Sequence, residues 1–232
     1  MQARIITLSN NKDSFTQADR CIDSSNHFKN SFTISKYIAT IPSNVVDNFR
    51  SRGIKWNYPW TKSHLDIQSG LYKTVYETAD PAKRMSCFMS HYRLWEECAE
   101  KNEDFLVLEH DALFVRRLKI ETLEESSYKI ISINDPRGAT RRSQAYHELI
   151  CDHEIAPVPW IDDAKIPQGL PGNSAYYLKP EGAMKLLLLV KEYGGWPNDA
   201  IMCKQLLSAK TIGCLGKYAT VVQKTHSSST TT

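Results

Sequence analysis

Phe105-Leu106-Val107-Leu108-Glu109-His110-Asp111 carries four apolar residues straight into two acids that flank a histidine. An unbroken apolar run of this length, without alternation, is what a central parallel strand covered on both faces requires. Continuing the strand through Asp111 places Glu109 and Asp111 on one face and His110 on the other, with the two acidic Cα atoms ~7 Å apart. Carboxylates held so close repel each other unless a cation lies between them. Carboxylate oxygens suit a hard divalent ion, Mn²⁺ or Mg²⁺. Solvated strand ends also carry acid-x-acid triplets, so the metal reading depends on the apolar run that fixes the strand and its direction.

The sequence on either side alternates in type. Asp80-Pro81 opens a helix, because Asp is a good N-cap and Pro is tolerated at the first helical position. Met85, Phe88, Tyr92 and Trp95 form its apolar stripe, and it ends near Lys101-Asn102. Further upstream, Arg4-Ile5-Ile6-Thr7-Leu8 reads as a buried strand, followed by a polar turn at 9–13 and a helix to about Ile22. Residues 32–38 alternate like a strand and 44–50 like a helix, and the segment from Trp56 to Trp60 is a loop. Downstream, strands are expected at 128–133, 175–178 and 219–222. Helices are expected at 180–193, closed by Gly194-Gly195, and at 199–207. Residues 134–172, rich in Pro, Gly, Asp and Arg, read as loops around the site. This alternation predicts an α/β class with a mainly parallel sheet flanked by helices, and ligands then bind beyond the carboxyl ends of its strands.

The chain has 232 residues, enough for one domain with a substantial core. A formal net charge of +3 excludes the strongly basic profile of a nucleic-acid binder but suits an anionic small molecule or a membrane surface. The longest apolar stretch, 186–190, is too short for a transmembrane span, and no signal-peptide core follows Met1. Cys21, Cys87, Cys98, Cys151, Cys203 and Cys214 include no Cys-x-x-Cys pair and read as reduced thiols, so the expected compartment is the cytoplasm. The Ser/Thr run at 227–232 reads as a disordered tail.

Two blocks look familiar. Cys87-Phe88-Met89-Ser90-His91-Tyr92-Arg93-Leu94-Trp95, followed by the acidic strand, resembles glycosyltransferase family 25, whose pattern is approximately G-C-x-x-S-H-x-x-x-W and then a hydrophobic strand ending E-D-D. Gly172-Asn173-Ser174-Ala175-Tyr176-Tyr177-Leu178-Lys179-Pro180-Glu181-Gly182-Ala183 is similar to the family's G-x-x-A-Y-x-x-S-x-x-G-A. The family includes lipooligosaccharide and collagen galactosyltransferases, linking the chain to lipopolysaccharide biosynthesis. His110 departs from the middle acid of E-D-D, and Asn10-Asn11 replace the basic residues usual in the first turn.

The resemblance implies a single GT-A, Rossmann-like domain over 1–226, with 1–115 binding the nucleotide-sugar and 116–226 the acceptor. It also implies an inverting displacement that moves a hexose, galactose or glucose, from a UDP-sugar to a saccharide or glycoconjugate acceptor. Asp111 is then the metal ligand, and Glu109 binds the metal or the ribose. Thr7, Leu8 and Ser9 hold the nucleotide base through backbone groups, and His226 is an additional metal ligand. Asp199 is the general base, with Asp135 as its competitor. Arg84, in the opening turns of its helix, is placed to meet a phosphate, whereas Ser90-His91 reads as a structural hydrogen-bonding pair. Arg137, Arg141 and Arg142 form a basic loop. The alternative is a catalytically inactive GT-A domain that binds nucleotide-sugar or glycan. A nucleotidyltransferase would need a Gly-rich phosphate loop after the first strand, which residues 9–13 lack.

Overall fold

The computed structural model describes residues 1–75, 77–138, 142–170 and 172–223. Its strands are β1 (Gln2–Thr7), β2 (Ile34–Ile38), β3 (His64–Asp66), β4 (Leu71–Lys73), β5 (Phe105–Glu109) and β6 (Ala112–Phe114), then β7 (Ile130–Ser132), β8 (Ile155–Pro157), β9 (Ala175–Leu178), β10 (Ile212–Leu215) and β11 (Thr220–Val222). The helices are α1 (Lys12–His27), α2 (Pro42–Ser51), α3 (Pro81–Lys101) and α4 (Ile120–Glu125), followed by α5 (Ser143–Ile150), α6 (Pro180–Tyr193), α7 (Asn198–Ile201) and α8 (Lys204–Leu207).

A seven-stranded sheet runs in the order β2-β1-β5-β9-β7-β10-β8. β2, β1 and β5 are mutually parallel, β7 and β10 run the same way, and β9 and β8 oppose them. The class is therefore α/β with a mainly parallel sheet, as expected. Phe105, Leu106, Val107 and Leu108 are all fully buried, because helices cover both faces. Phe105 and Val107 join the core beneath α3 and α6, whereas Leu106 and Leu108 join the one beneath α1. β9 is antiparallel, so its first residues lie at the same sheet edge as the carboxyl ends of β1, β5, β7 and β10.

Local chemistry sets the boundaries of α3. The Asp80 side chain accepts from the Ala82 N–H at 2.9 Å, Pro81 fills the first helical position, and Asn102 closes the helix in the left-handed region at φ 51°. Phe88 and Trp95 are buried, while Met85 and Tyr92 pack against the same core from a half-exposed position. Lys73, fully buried, ties the β3–β4 hairpin down: its ammonium donates to the Asn57 carbonyl at 2.6 Å, lies 3.3 Å from Asp66 and sits 4.5 Å from the Trp196 ring centroid. No helix of the described residues is long and apolar enough to cross a membrane.

Three expectations need correction. Residues 134–172 are not all loop: they contain a 3₁₀ turn at Pro136–Gly138, α5, and the edge strand β8. Tyr146 and Ile150, four residues apart and buried, supply the apolar face of α5. The helix expected at 199–207 is broken into α7 and α8, because Cys203 is extended (φ −120°, ψ 153°) and bridges to Gly169, while the Lys204 N–H donates to the Gln168 carbonyl. The acidic strand also stops at Glu109. His110 and Asp111 form a turn into β6, so strand alternation does not govern where their side chains point.

Candidate active site

Glu109 ends β5 at the carboxyl edge of the sheet, and a line of hydrogen bonds from α3 and β9 holds its carboxylate. The Trp95 indole N–H donates to the Tyr176 hydroxyl at 2.8 Å, Tyr176 meets His91 Nδ1 at 2.9 Å, and His91 Nε2 meets Glu109 Oε1 at 2.9 Å. One proton arrangement satisfies every member: Tyr176 donates to Nδ1, and the Nε2–H donates to Glu109. His91, fully buried, thus links Glu109 to the core through Tyr176. Ser90 accepts from the Thr40 N–H at 2.9 Å and donates to the Ser86 carbonyl at 2.8 Å, fixing the segment after β2 to α3. The Ser-His pair is structural, as its place on a core-facing helix predicts.

Cys87 lies one helical turn from His91, with its sulfur 3.9 Å from Glu109 Oε1 and 3.7 Å from the Asn198 side-chain oxygen. Cys87, His91 and Glu109 bring potential ligand atoms within 4.8 Å of one another. The three are joined by hydrogen bonds that converge on Glu109 Oε1. His91 spends its Nε2 proton on Glu109, and burial, followed by the charge of Glu109, pushes the Cys87 thiol well above its ordinary range, so it stays protonated.

Asp111 is held differently. Its turn is pinned by Gln223, whose backbone N–H donates to the Asp111 carbonyl at 2.7 Å and whose side chain donates to the Ala112 and Gln17 carbonyls. The Asp111 carboxylate has a buried oxygen, Oδ1, with no hydrogen-bond partner among the described residues. Burial, and then the charge of Glu109, pushes its carboxyl up to about 7. Such a group is stabilised by a cation at that oxygen, so the donor set fits a hard divalent ion.

α7 brings Asp199 to the same place. Burial raises its carboxyl, Arg84 opposes the shift and Glu109 adds to it. Asp199 is positioned by a close backbone approach: a Cβ on Gly169 would sit 2.3 Å from the Asp199 carbonyl oxygen. Arg84, buried in the opening turns of α3, is the cation facing this acid, and it also acts on Cys87 and Tyr58. Glu109, Asp111, Asp199 and Arg84 therefore form one electrostatic group at the sheet edge.

Other expected site residues lie in different settings. Asp135 follows the end of β7 and forms a two-pronged ion pair with Arg137, with bonds of 3.0 and 2.9 Å; burial works against it, but those bonds bring its carboxyl below the ordinary range. Thr7 is buried at the end of β1, and its carbonyl accepts from the Ala39 N–H. The Leu8 N–H donates to the Ser14 hydroxyl at 3.0 Å and its carbonyl accepts from Asn11, leaving Ser9 exposed at the rim. Arg142 contacts the Ile161 carbonyl and pairs with Asp162 at 3.4 Å. His226, Arg141 and the 227–232 tail lie outside the described residues. Sequence reading missed Tyr176 and Gln223 as positioning residues, since both act through pairings between distant segments.

Comparison with curated protein sequences finds no match. Among solved structures, mouse xyloside xylosyltransferase 1 in its apo form aligns with a TM-score of 0.45 and 12% identity over 92% of this chain and 84% of that one. A glycosyltransferase involved in the glycosylation of the major capsid of PBCV-1 aligns with a TM-score of 0.42 and 10% identity over 99% and 95%. The sequence profile described as glycosyltransferase family 25 (LPS biosynthesis protein) matches residues 26–202, a span that takes in the acidic edge, α3, β9 and α7. The chain belongs to glycosyltransferase family 25.

Proposed function

We propose that the chain is a divalent-metal-dependent, inverting hexosyltransferase that moves galactose or glucose from a UDP-sugar to a saccharide or glycoconjugate acceptor. The observation that carries this reading is the buried carboxylate oxygen of Asp111, which has no hydrogen-bond partner among the described residues and belongs to a carboxyl raised by burial and then by the charge of Glu109. Asp111, with Glu109, would hold Mn²⁺ or Mg²⁺, which supplies charge neutralisation for the nucleotide diphosphate. The family's description as an LPS biosynthesis protein supports a glycolipid-type acceptor and peripheral contact with a membrane. Six free cysteines, four of them buried, suit the cytoplasm.

Asp199 is the general base in this reading. Its raised carboxyl accepts the acceptor's hydroxyl proton as that oxygen bonds to the anomeric carbon. The anomeric C–O bond to phosphate breaks with its electron pair leaving on the diphosphate, and Arg84 meets the charge that develops. Asp135 is less suited, because its pair with Arg137 keeps it a weak base. Glu109, with His91 donating to one oxygen, keeps the other for the ion or a ribose hydroxyl.

Thermal unfolding with UDP, UDP-galactose and UDP-glucose, each with and without Mn²⁺, tests the reading, because ligand binding to the native state raises the midpoint. The expected outcome is Mn²⁺-dependent stabilisation by UDP, more by one UDP-hexose, and hydrolysis of that donor. Persistent UDP binding without any hydrolysis or transfer would favour the inactive-domain alternative.

A further inference from the structure

Asn173 and Ser174 stand at the head of β9, both more than nine-tenths buried, at 7% and 4% exposure. Neither the nitrogen nor the oxygen of the Asn173 side chain has a hydrogen-bond partner among the described residues, and nor does the Ser174 hydroxyl. Buried polar atoms almost always find partners, because an unmet one opposes folding. Three such atoms fall in two adjacent residues at the sheet edge where Glu109 ends β5, and something else must satisfy them.

Register fixes the direction of Ser174. Leu108 lies opposite Ala175 in the antiparallel β5–β9 pair, and the Glu109 N–H donates to the Ser174 carbonyl at 2.7 Å, extending the ladder by one residue. Residues opposite each other in such a ladder present side chains to the same face, with Cβ atoms about 4.5–5.5 Å apart. The Ser174 hydroxyl therefore shares a face with the Glu109 carboxylate, on the α3 side that also carries His91 and Cys87.

We propose that Asn173 and Ser174 bind the hydroxyl groups of a sugar at the acidic edge, a role that rests on the donor site proposed at Glu109 and Asp111. An amide offers both donors and an acceptor, and a serine hydroxyl offers both as well. A ligand that completes them must itself donate and accept. Alcohol groups do so. A phosphate only accepts, would leave the Asn173 oxygen unmet, and would meet two neighbouring carboxylates. The sugar is that of the donor or of the acceptor, and the two sources share this chemistry.

The test uses the full chain with Asn173→Ala and Ser174→Ala. Removing unmet polar atoms should leave the ligand-free thermal midpoint unchanged or raise it, whereas a purely structural role would lower it. By calorimetry with Mn²⁺, UDP affinity should stay within about twofold. In the donor arm, the affinity gained by UDP-galactose or UDP-glucose over UDP should fall about fivefold to tenfold. In the acceptor arm, methyl β-galactoside and lactose binding to the UDP complex, read by NMR titration, should fall instead. Unchanged sugar affinity in both arms, or equal weakening of UDP itself, overturns the proposal. If UDP fails to bind the unaltered chain, the donor reading is what fails, and saccharide binding to the free chain still decides whether these side chains take a sugar. Should the alanine variants not fold, Asn173→Ser and Ser174→Cys carry the same expectation.

Discussion

Two regions of the same sheet edge, a few residues apart, are built on opposite terms. At Glu109 one carboxylate oxygen is matched through the fold: Trp95, Tyr176 and His91 pass hydrogen bonds to it. At Asp111 and the turn carrying Asn173 and Ser174, buried polar atoms have no hydrogen-bond partner among the described residues. On the proposed reading, the difference separates framework from binding surface. Groups satisfied within the fold hold its shape, so losing one should weaken the protein and its chemistry together. Groups left unmet oppose folding, so losing one should cost function and spare stability.

The largest effect should come from Asp111→Asn, which is expected to abolish Mn²⁺-dependent UDP binding in calorimetry; unchanged affinity would break the contrast. The same variant should raise the thermal midpoint of the metal-free protein. Burial, then Glu109, pushes the Asp111 carboxyl up to about 7. A folded-state value above the unfolded one means that the native state binds the proton more tightly, so ionisation destabilises it as pH rises from about 4 through 7. The gain from Asn should therefore be greater at pH 8 than at pH 5, and a gain independent of pH would contradict this account.

Asp199→Asn should lower transfer by about 10² to 10⁴ while donor affinity holds, the usual cost of losing a general base. Near-normal transfer would reassign the base. Gly169→Ala comes next, because its Cβ would strike backbone, 2.3 Å from the Asp199 carbonyl oxygen and 3.2 Å from that of Met202. Overpacking of this kind costs about 1–3 kcal/mol, and a displaced catalytic group can cost about 10²-fold in rate. Tyr176→Phe should destabilise by about 1–3 kcal/mol in denaturant unfolding, since His91 and Trp95 both lose a buried partner. If it is neutral, the region around Glu109 is not held as described. The smallest effect is expected from Asp135→Asn, which should leave transfer near its original rate, its carboxylate being committed to Arg137.

The parts of this arrangement legible in the sequence were those governed by local chemistry. The apolar run located β5, and Asp80, Pro81 and Asn102 marked both ends of α3. The two acids at the end of the run did fall at one site, although they reach it through a turn rather than a continued strand. What stayed hidden depended on partners far away in the chain. Tyr176 meets His91 across 85 positions, and only the β5–β9 register shows that Ser174 faces Glu109. The break between α7 and α8 reflects Gly169 and Cys203 pairing across the fold, which no helical propensity encodes. Residues 134–172 concealed α5 and β8, because their turn-forming composition outweighed one short apolar face.

The position of β9 also sets the order in which the molecule can assemble. It lies between β5 and β7 yet follows both in the chain, so a nascent chain that has released residue 132 has made two strands with nothing to join them. Their facing edges stay open until residue 178 emerges, and α7 with Asp199 comes later still. Pairings over such separations are slow to form, and open strand edges in the interval invite mispairing with other chains. The edge that carries Glu109, Asp111 and Asp199 is thus completed late, and the open flanks of β5 and β7 are where an interrupted synthesis is vulnerable.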